Sequence, residues 1–313
     1  MSRSPTPRTA RVLATAMLVL WAAAPTLAAA LDFATEQASV LAWRDQRISS
    51  LTSDSGWLTL AALFWLKDGD NSFGRGDGND LVLNNPALAD AAGTFRLDGG
   101  SVRFVARAHG GVTLDGEPLD AVDLKSDAGG EPTVLASGPL RFFVIERAGR
   151  LGVRVRDLNN PHRLRFRGLQ YFPISARWVL NARFEPYPPG KRIRIVNLLG
   201  MEEEQESPGA VVFTRNGRDY RLDTVRESPQ EPELFIMFAD GTSGQETYGA
   251  GRFLHLPLPT DGTALLDFNK AYNPPCALND FATCPLPPPQ NRLKLRVEAG
   301  ELKYAGGPVH SLP

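Results

Sequence analysis

Six polar side chains gather in the C-terminal part of the sequence: Arg252, Asp267, Asn269, Tyr272, Asn273 and Asn291. A guanidinium, an acid, a phenol and three amides on neighbouring segments are the groups that a pocket for a small polar molecule needs, a sugar or an organic acid being examples. The same stretch offers acid–base chemistry. Asp240 or Asp267 would be the carboxylate, with Tyr248 or Tyr272 as proton donor, in a hydrolase or lyase working in the same cleft. The structural alternative is that these side chains satisfy the backbone polar groups of an irregular loop.

Other constellations are thinner. Gly241-Thr-Ser-Gly244 is not a nucleophile elbow, because Gln245 stands where the last glycine is required. A Ser243–His255 pair therefore has little behind it. Gly76-Asp-Gly-Asn-Asp80 resembles one calcium-binding repeat unit, but such units act in tandem and this one is single. Cys276 and Cys284 are the two cysteines of the chain. They form no C-x-x-C and have no nearby histidine, so neither a metal site nor a cofactor is expected. In an exported chain they read most simply as a disulfide. Two packed thiols, or a functional thiol or metal pair, are the alternatives.

The elements that must position these groups begin with the loop 270–290. Six prolines fall between 274 and 289, with both cysteines among them and a strand candidate on either side. This suits a rigid, stapled surface loop, with a candidate cis-proline at Asn273-Pro274-Pro275. Long ordered loops of this kind are often functional.

The chain has 313 residues, 34 Lys+Arg against 35 Asp+Glu, and 42% apolar residues. That composition is globular, and the near-zero charge excludes a dedicated nucleic-acid binder. Residues 1–30 read as a signal peptide. Arg3, Arg8 and Arg11 precede an apolar run, Val12–Ala24, and Ala28-x-Ala30 fits the cleavage rule. The run is shorter than the ~20 residues that span a bilayer. An exported protein, periplasmic or secreted after cleavage near Ala30, with no stable membrane span, is expected.

Residues 31–56 read as an N-terminal helix, with Ala34, Ala38, Leu41, Ile48 and Leu51 at helical spacing. Beyond Trp57 the pattern is all-β, with short strands and turn chemistry between them. Candidates are 81–83, 101–105, 141–145, 152–156, 176–184, 191–196, 211–214, 220–222, 234–238, 253–254, 264–268 and 293–297. Asn216-Gly217 is a strong hairpin signal. Leu234-Phe-Ile-Met-Phe238 reads as a central strand. The alternations Arg163, Arg165, Arg167 and Arg192, Arg194 read as solvated strand faces, with a patch for an acidic partner as the alternative. The expected division is a β-sandwich over 57–160 and a second antiparallel β-sandwich or barrel region over 161–313.

Asp70-Asn-Ser-Phe-Gly-Arg75, Asn79-Asp-Leu-Val-Leu83, Gly111-Val-Thr-Leu-Asp-Gly116 and Gly138-Pro-Leu-Arg-Phe142 resemble a forkhead-associated β-sandwich. Gly74-Arg75 matches that family's phosphate-binding turn. Its Ser-x-x-His turn is absent, with Pro86-Ala-Leu-Ala-Asp90 in its place. The resemblance implies architecture and allows a protein partner through residues 60–157. Gly56-Trp-Leu-Thr-Leu60, Asp267-Phe-Asn-Lys-Ala-Tyr-Asn-Pro-Pro-Cys276, Cys284-Pro-Leu-Pro-Pro288 and Asn291-Arg-Leu293 resemble the bacterial domain of unknown function 1684 family. That resemblance runs over roughly 40–301. It implies one integrated β-rich architecture and brings no activity, cofactor or catalytic residue with it.

Overall fold

The computed structural model describes Met1 and residues 27–308, apart from 227, 229, 230 and 260, with backbone only over 27–32. The expected leader, 1–30, lies almost wholly outside the described residues. No described helix is long and apolar enough to cross a membrane.

Helix α1 (Leu27–Thr52) opens the described chain. Its docked face differs from the apolar spacing in the sequence. Ala34, Ala38 and Leu41 face solvent, while Val40 and Leu51 are buried and Glu36, Trp43, Arg44 and Arg47 are half-buried. The helix is held largely by polar groups. Arg44 donates to the Phe172 carbonyl at 3.3 Å, Arg47 pairs with Glu301 at 2.9 Å, and Glu36 with Lys270 at 3.2 Å.

Then come β1 (Leu60–Trp65), β2 (Gly69–Gly74), β3 (Leu81–Val82), β4 (Gly93–Asp98), β5 (Ser101–Ala106), β6 (Thr113–Leu114), β7 (Glu117–Pro118), β8 (Ala121–Leu124), β9 (Leu135–Ser137), β10 (Leu140–Arg147) and β11 (Arg150–Asp157). They make two sheets, ordered β1-β11-β10-β9-β6-β7 and β3-β2-β4-β5-β8. Alternation on β4 and β5 sends Phe95, Leu97, Val102 and Phe104 inward and leaves Arg96 and Arg103 outside. Phe73, Phe95, Phe104 and Phe142 meet there at 4.8–6.2 Å between ring centres. Rings at these separations add to their area burial. Arg75 is bound by Asp90, at 2.9 and 2.6 Å, so the one guanidinium of the phosphate turn is already occupied. Exposed large apolar residues on this sandwich are the separate Val105 and Val134.

A short helix α2 (Pro161–Leu164) follows. Arg163, Arg165 and Arg167 therefore share no strand face. Arg163 donates to the carbonyls of Thr52 and Leu158 instead. The remaining strands are β12 (Val179–Pro186), β13 (Arg192–Val196), β14 (Glu202–Glu206), β15 (Gly209–Arg215), β16 (Arg218–Asp223), β17 (Glu233–Phe238), β18 (Arg252–Pro257) and β19 (Thr263–Asp267). One sheet runs β16-β15-β12-β19, while β13-β14 and β17-β18 are separate antiparallel pairs. Asn216 and Gly217 join β15 to β16 with φ of 51° and 71°, as a two-residue hairpin turn requires.

The apolar run of β17 follows from burial on both of its faces. β17 pairs with β18 along its length and, on its other edge, with Val225 through Phe235, and it lies between two cores. Leu234, Ile236 and Phe238 pack towards the four-stranded sheet. Phe235 and Met237 pack on the opposite side with Ile193, Ile195, Phe253 and both cysteines. A strand buried on both faces reads as an unbroken apolar run.

Residues 293–297 do not form a strand. Val297 gives its N–H to Asp240, and its carbonyl accepts from Arg252. Leu293 and Leu295 each make one backbone bond to the segment 239–241, and at Val297 side chains take both groups that would continue a ladder. No described peptide bond is cis, Asn273-Pro274-Pro275 included. Cys276 and Cys284 are buried and are not joined to each other. The Cys276 N–H donates to Cys284 Sγ at 3.0 Å, and burial raises the Cys284 pKa. They pack as small apolar side chains, and no disulfide staples the loop.

Candidate functional site

A cavity of about 1160 Å³ lies beneath α1. The helix contributes Trp43 and Arg47, and β17 and β18 contribute Glu233, Phe235, Phe253 and His255. The proline-rich loop adds Tyr272, Pro275 and Pro285, the end of β19 adds Leu265 and Asp267, and β13–β14 adds Ile195, Glu203 and Gln205.

Tyr272 is fixed by its backbone. Its N–H and carbonyl pair with Phe253 at 2.9 and 2.8 Å, continuing the edge of β18. Its ring is stacked with His255 at 5.8 Å and 8°. His255 in turn stacks on its cross-strand neighbour Phe235 at 5.0 Å, and Arg47 lies 4.5 Å above the Tyr272 ring. His255 Nε2 and the Tyr272 hydroxyl are 2.7 Å apart, and His255 Nδ1 is 3.8 Å from Glu233. In the tautomer protonated on Nδ1, facing Glu233, Nε2 accepts from the tyrosine. Burial lowers the His255 pKa, outweighing the pull of Glu233 and Glu231, so the ring is neutral at pH 7.

Asp267 sits at the other side of the cavity. Its Oδ1 accepts from the Asn269 backbone N–H at 3.0 Å and from Asn269 Nδ2 at 2.8 Å. Its Oδ2 is 3.4 Å from Lys270 Nζ. Burial and the neighbouring Glu36 carboxyl raise its pKa despite Asn269 and Lys270. A raised carboxyl binds its proton more tightly in the folded chain. Its contribution to stability is present below the ordinary value of 3.8 and is lost as pH rises through the folded value. Asp267→Asn keeps the Oδ1 acceptor and removes the charge. It is expected to gain stability relative to wild type as pH rises from 3.8 to neutrality, measured by thermal melts across that range. Parallel curves for the two proteins would show that Asp267 does not titrate there. His255 acts with the opposite sign, because its depressed pKa withdraws stability as pH falls below 6.5.

The other expected site residues are not in this cavity. Arg252 is fully buried and donates to the carbonyls of Ala299 and Val297, with Asp240 at 3.4 Å. Asn291 accepts from the Asp223 N–H and donates to the carbonyls of Asp223 and Met237. Asn269 exchanges hydrogen bonds with the Ser175 backbone. Asn273 donates to the Leu302 carbonyl at 2.8 Å. These four satisfy the polar groups of irregular main chain and hold it in place.

Asp240 is an anchor too, taking bonds from Thr242, Ser243 and the Val297 N–H. Tyr248 is buried against Cys276, which with burial raises its pKa. Neither reaches the cavity as an acid or base. Ser243 is bound to Asp240 and His255 to Tyr272, so they do not form a pair.

Of the expected residues the structure thus brings Asp267 and Tyr272 into one cavity. It adds His255, Glu233, Trp43 and Arg47. Strand periodicity held part of that signal. Arg252, Leu254 and Leu256 share one face of β18, and the leucines mark it as the core face. Phe253 and His255 share the other. Among the described residues no cluster of His, Cys, Asp and Glu is arranged to hold a metal.

Residues 164–302 match the family model described as a protein of unknown function, DUF1684. Similar solved structures include the uncharacterised protein from gene locus rrnAC0354 of Haloarcula marismortui. It is 30% identical, with 45% of this chain and 78% of that chain covered and a TM-score of 0.38. They also include a forkhead-associated (FHA) domain studied for phosphothreonine-dependent interactions (18% identity, 30% of this chain, 92% of that chain, TM-score 0.21). A third is the FhaA FHA domain in complex with the intracellular domain of Rv3910 (18%, 30%, 97%, TM-score 0.21). Overlap at these scores carries no ligand or partner over to this chain. Among curated proteins none matches.

Proposed function

The chain belongs, through residues 164–302, to the DUF1684 family, and from that premise we propose that it is an exported protein that binds a small polar ligand in the cavity beneath α1. The observation that carries this reading is the row Phe235–His255–Tyr272, with Asp267 and Arg47, lining a single cavity. The row gives one wall of the cavity an aromatic, apolar character, and the side chains beside it offer both donors and acceptors. Lining charges balance, with Arg47, Arg147 and Lys270 against Glu203, Glu233 and Asp267. A neutral polar ring compound such as a sugar suits that balance better than a strong ion.

The test is a thermal-shift screen of mono- and disaccharides and of organic acids against wild type, Tyr272→Ala and Trp43→Ala. A ligand at about a hundred times its Kd adds about 2.7 kcal/mol, which raises the melting temperature by several degrees. The expected result is such a rise in wild type with one class and its loss in both variants. Absence of any shift in wild type, or equal shifts in all three proteins, refutes the reading.

The second reading is an acid–base enzyme, a hydrolase or lyase. It is favoured by a neutral His255 bonded to Tyr272 in the cavity that also holds the raised Asp267 carboxyl. A neutral imidazole that can take a proton and a carboxyl with a strengthened hold on its own are groups that such chemistry uses. Incubating a ligand found by the screen with wild type and His255→Gln, and following it by NMR, separates the two. Turnover by wild type that His255→Gln loses while still binding selects the enzyme, and an unchanged ligand selects binding.

A further inference from the structure

A second groove, of about 610 Å³, lies between the β15–β16 turn, the segment before β12 and residues 294–298. Its charge is one-sided. Arg177, Arg215, Arg218, Lys294 and Arg296 line it, with Glu298 as the one carboxylate. Glu298 lies 3.3 Å from Arg177 and 3.4 Å from Arg296, and Arg296 also pairs with Glu246. Arg215, Arg218 and Lys294 have no carboxylate partner among the described residues.

Two features go beyond a solvated basic face. Arg215 and Arg218 stand directly opposite each other across the hairpin. Like charges in that register destabilise a strand pair, so this arrangement works against the fold unless something neutralises it. Arg215 is also held in place, its guanidinium 4.8 Å over the Trp178 ring. The indole N–H of Trp178, buried beneath it, has no acceptor among the described residues.

We propose that this groove binds a compact oligoanion carrying two or more phosphoryl groups. Guanidinium forks match phosphoryl oxygens in pairs, and several such groups within one small molecule would answer the three unpaired cations together. The site is separate from the cavity beneath α1 and stands or falls independently of it.

The probe is tripolyphosphate, titrated calorimetrically into the full chain at roughly 0.15 M salt, where exposed charges farther apart than a Debye length are screened. Orthophosphate is the comparison. Arg215→Gln/Arg218→Gln removes the opposed pair. Arg96→Gln/Arg103→Gln removes two exposed arginines that already have carboxylate partners on the first sandwich. Tripolyphosphate is expected to bind wild type about tenfold or more tightly than orthophosphate. Its affinity should fall about tenfold or more in the groove variant and stay within about twofold in the sandwich variant. If the groove double variant melts early, Arg218→Gln alone, exposed beside the turn, is expected to lose about threefold. No binding by wild type, no preference over orthophosphate, or equal losses in the two double variants overturns the proposal.

Discussion

Arg252→Met should cost about 3–5 kcal/mol of folding stability, as removing one partner of a fully buried ion pair does. Arg252 and Asp240 are both without solvent exposure, 3.4 Å apart. Burial lowers the Arg252 pKa, and Asp240 opposes that shift. Methionine would fill much of the space but leave Asp240 with its charge uncompensated. The carbonyls of Val297 and Ala299 would lose their donor as well. Those carbonyls belong to a segment with no ladder of its own, so the loss falls on the chain that closes the second core. Arg252→Met/Asp240→Asn should recover part of the cost, because no isolated charge is then left inside. Urea melts of the two variants and wild type measure both effects. A cost below about 1 kcal/mol for Arg252→Met would mean that the pair is not what holds residues 293–299 in place.

The same residue shows how far the sequence could be read. The all-β character, the Asn216-Gly217 hairpin and the alternation on β13 are written in local pattern, because a half-buried strand has period two and a tight turn needs φ > 0. The concentration of Asp, Asn, Arg and Tyr between 240 and 301 was equally visible. Its direction was not. A buried guanidinium bonded to carbonyls and one aimed at a ligand have the same sequence. The neighbouring leucines at 254 and 256 were the local clue that Arg252 turns inward. Leu266 gives the converse clue for Asp267, which falls on the face shared with the cavity-lining Leu265. Trp43 and Arg47 had no such clue. They reach the cavity from a helix more than two hundred residues away in sequence, and the helix docks through Glu36, Arg44 and Arg47 rather than through its alanines. The cysteines follow the same logic. Spacing brings two thiols together, but whether they join depends on the packing around them, and here both are absorbed into a core with Phe235 and Met237.

Arg47 is where helix, loop and cavity meet, and its replacement should have the second large effect. Its Nε donates to Glu301 at 2.9 Å and its Nη2 to the Asn273 carbonyl at 2.7 Å, while its guanidinium covers the Tyr272 ring. Glu301 is wholly buried, and its other oxygen accepts the Asn273 N–H at 2.8 Å. Arg47→Met would leave that carboxylate inside with one backbone donor. The expected cost is about 3 kcal/mol, at the low end for a broken buried pair because Arg47 itself keeps some solvent contact. Arg47→Met/Glu301→Gln should regain about half of it, since a neutral amide can still accept the Asn273 N–H without an unpaired charge. Urea melts of the single and double variants give that coupling, and equal instability in both would show that Glu301 does not depend on Arg47. Stability and binding should then part company. The double variant, with about half of the lost stability regained, still lacks the cation over Tyr272 and the bond from α1 to the Asn273 carbonyl. A saccharide or acid that raises the wild-type melting temperature should therefore raise that of the double variant by clearly less. An undiminished shift would place the ligand away from the face of the cavity that α1 supplies.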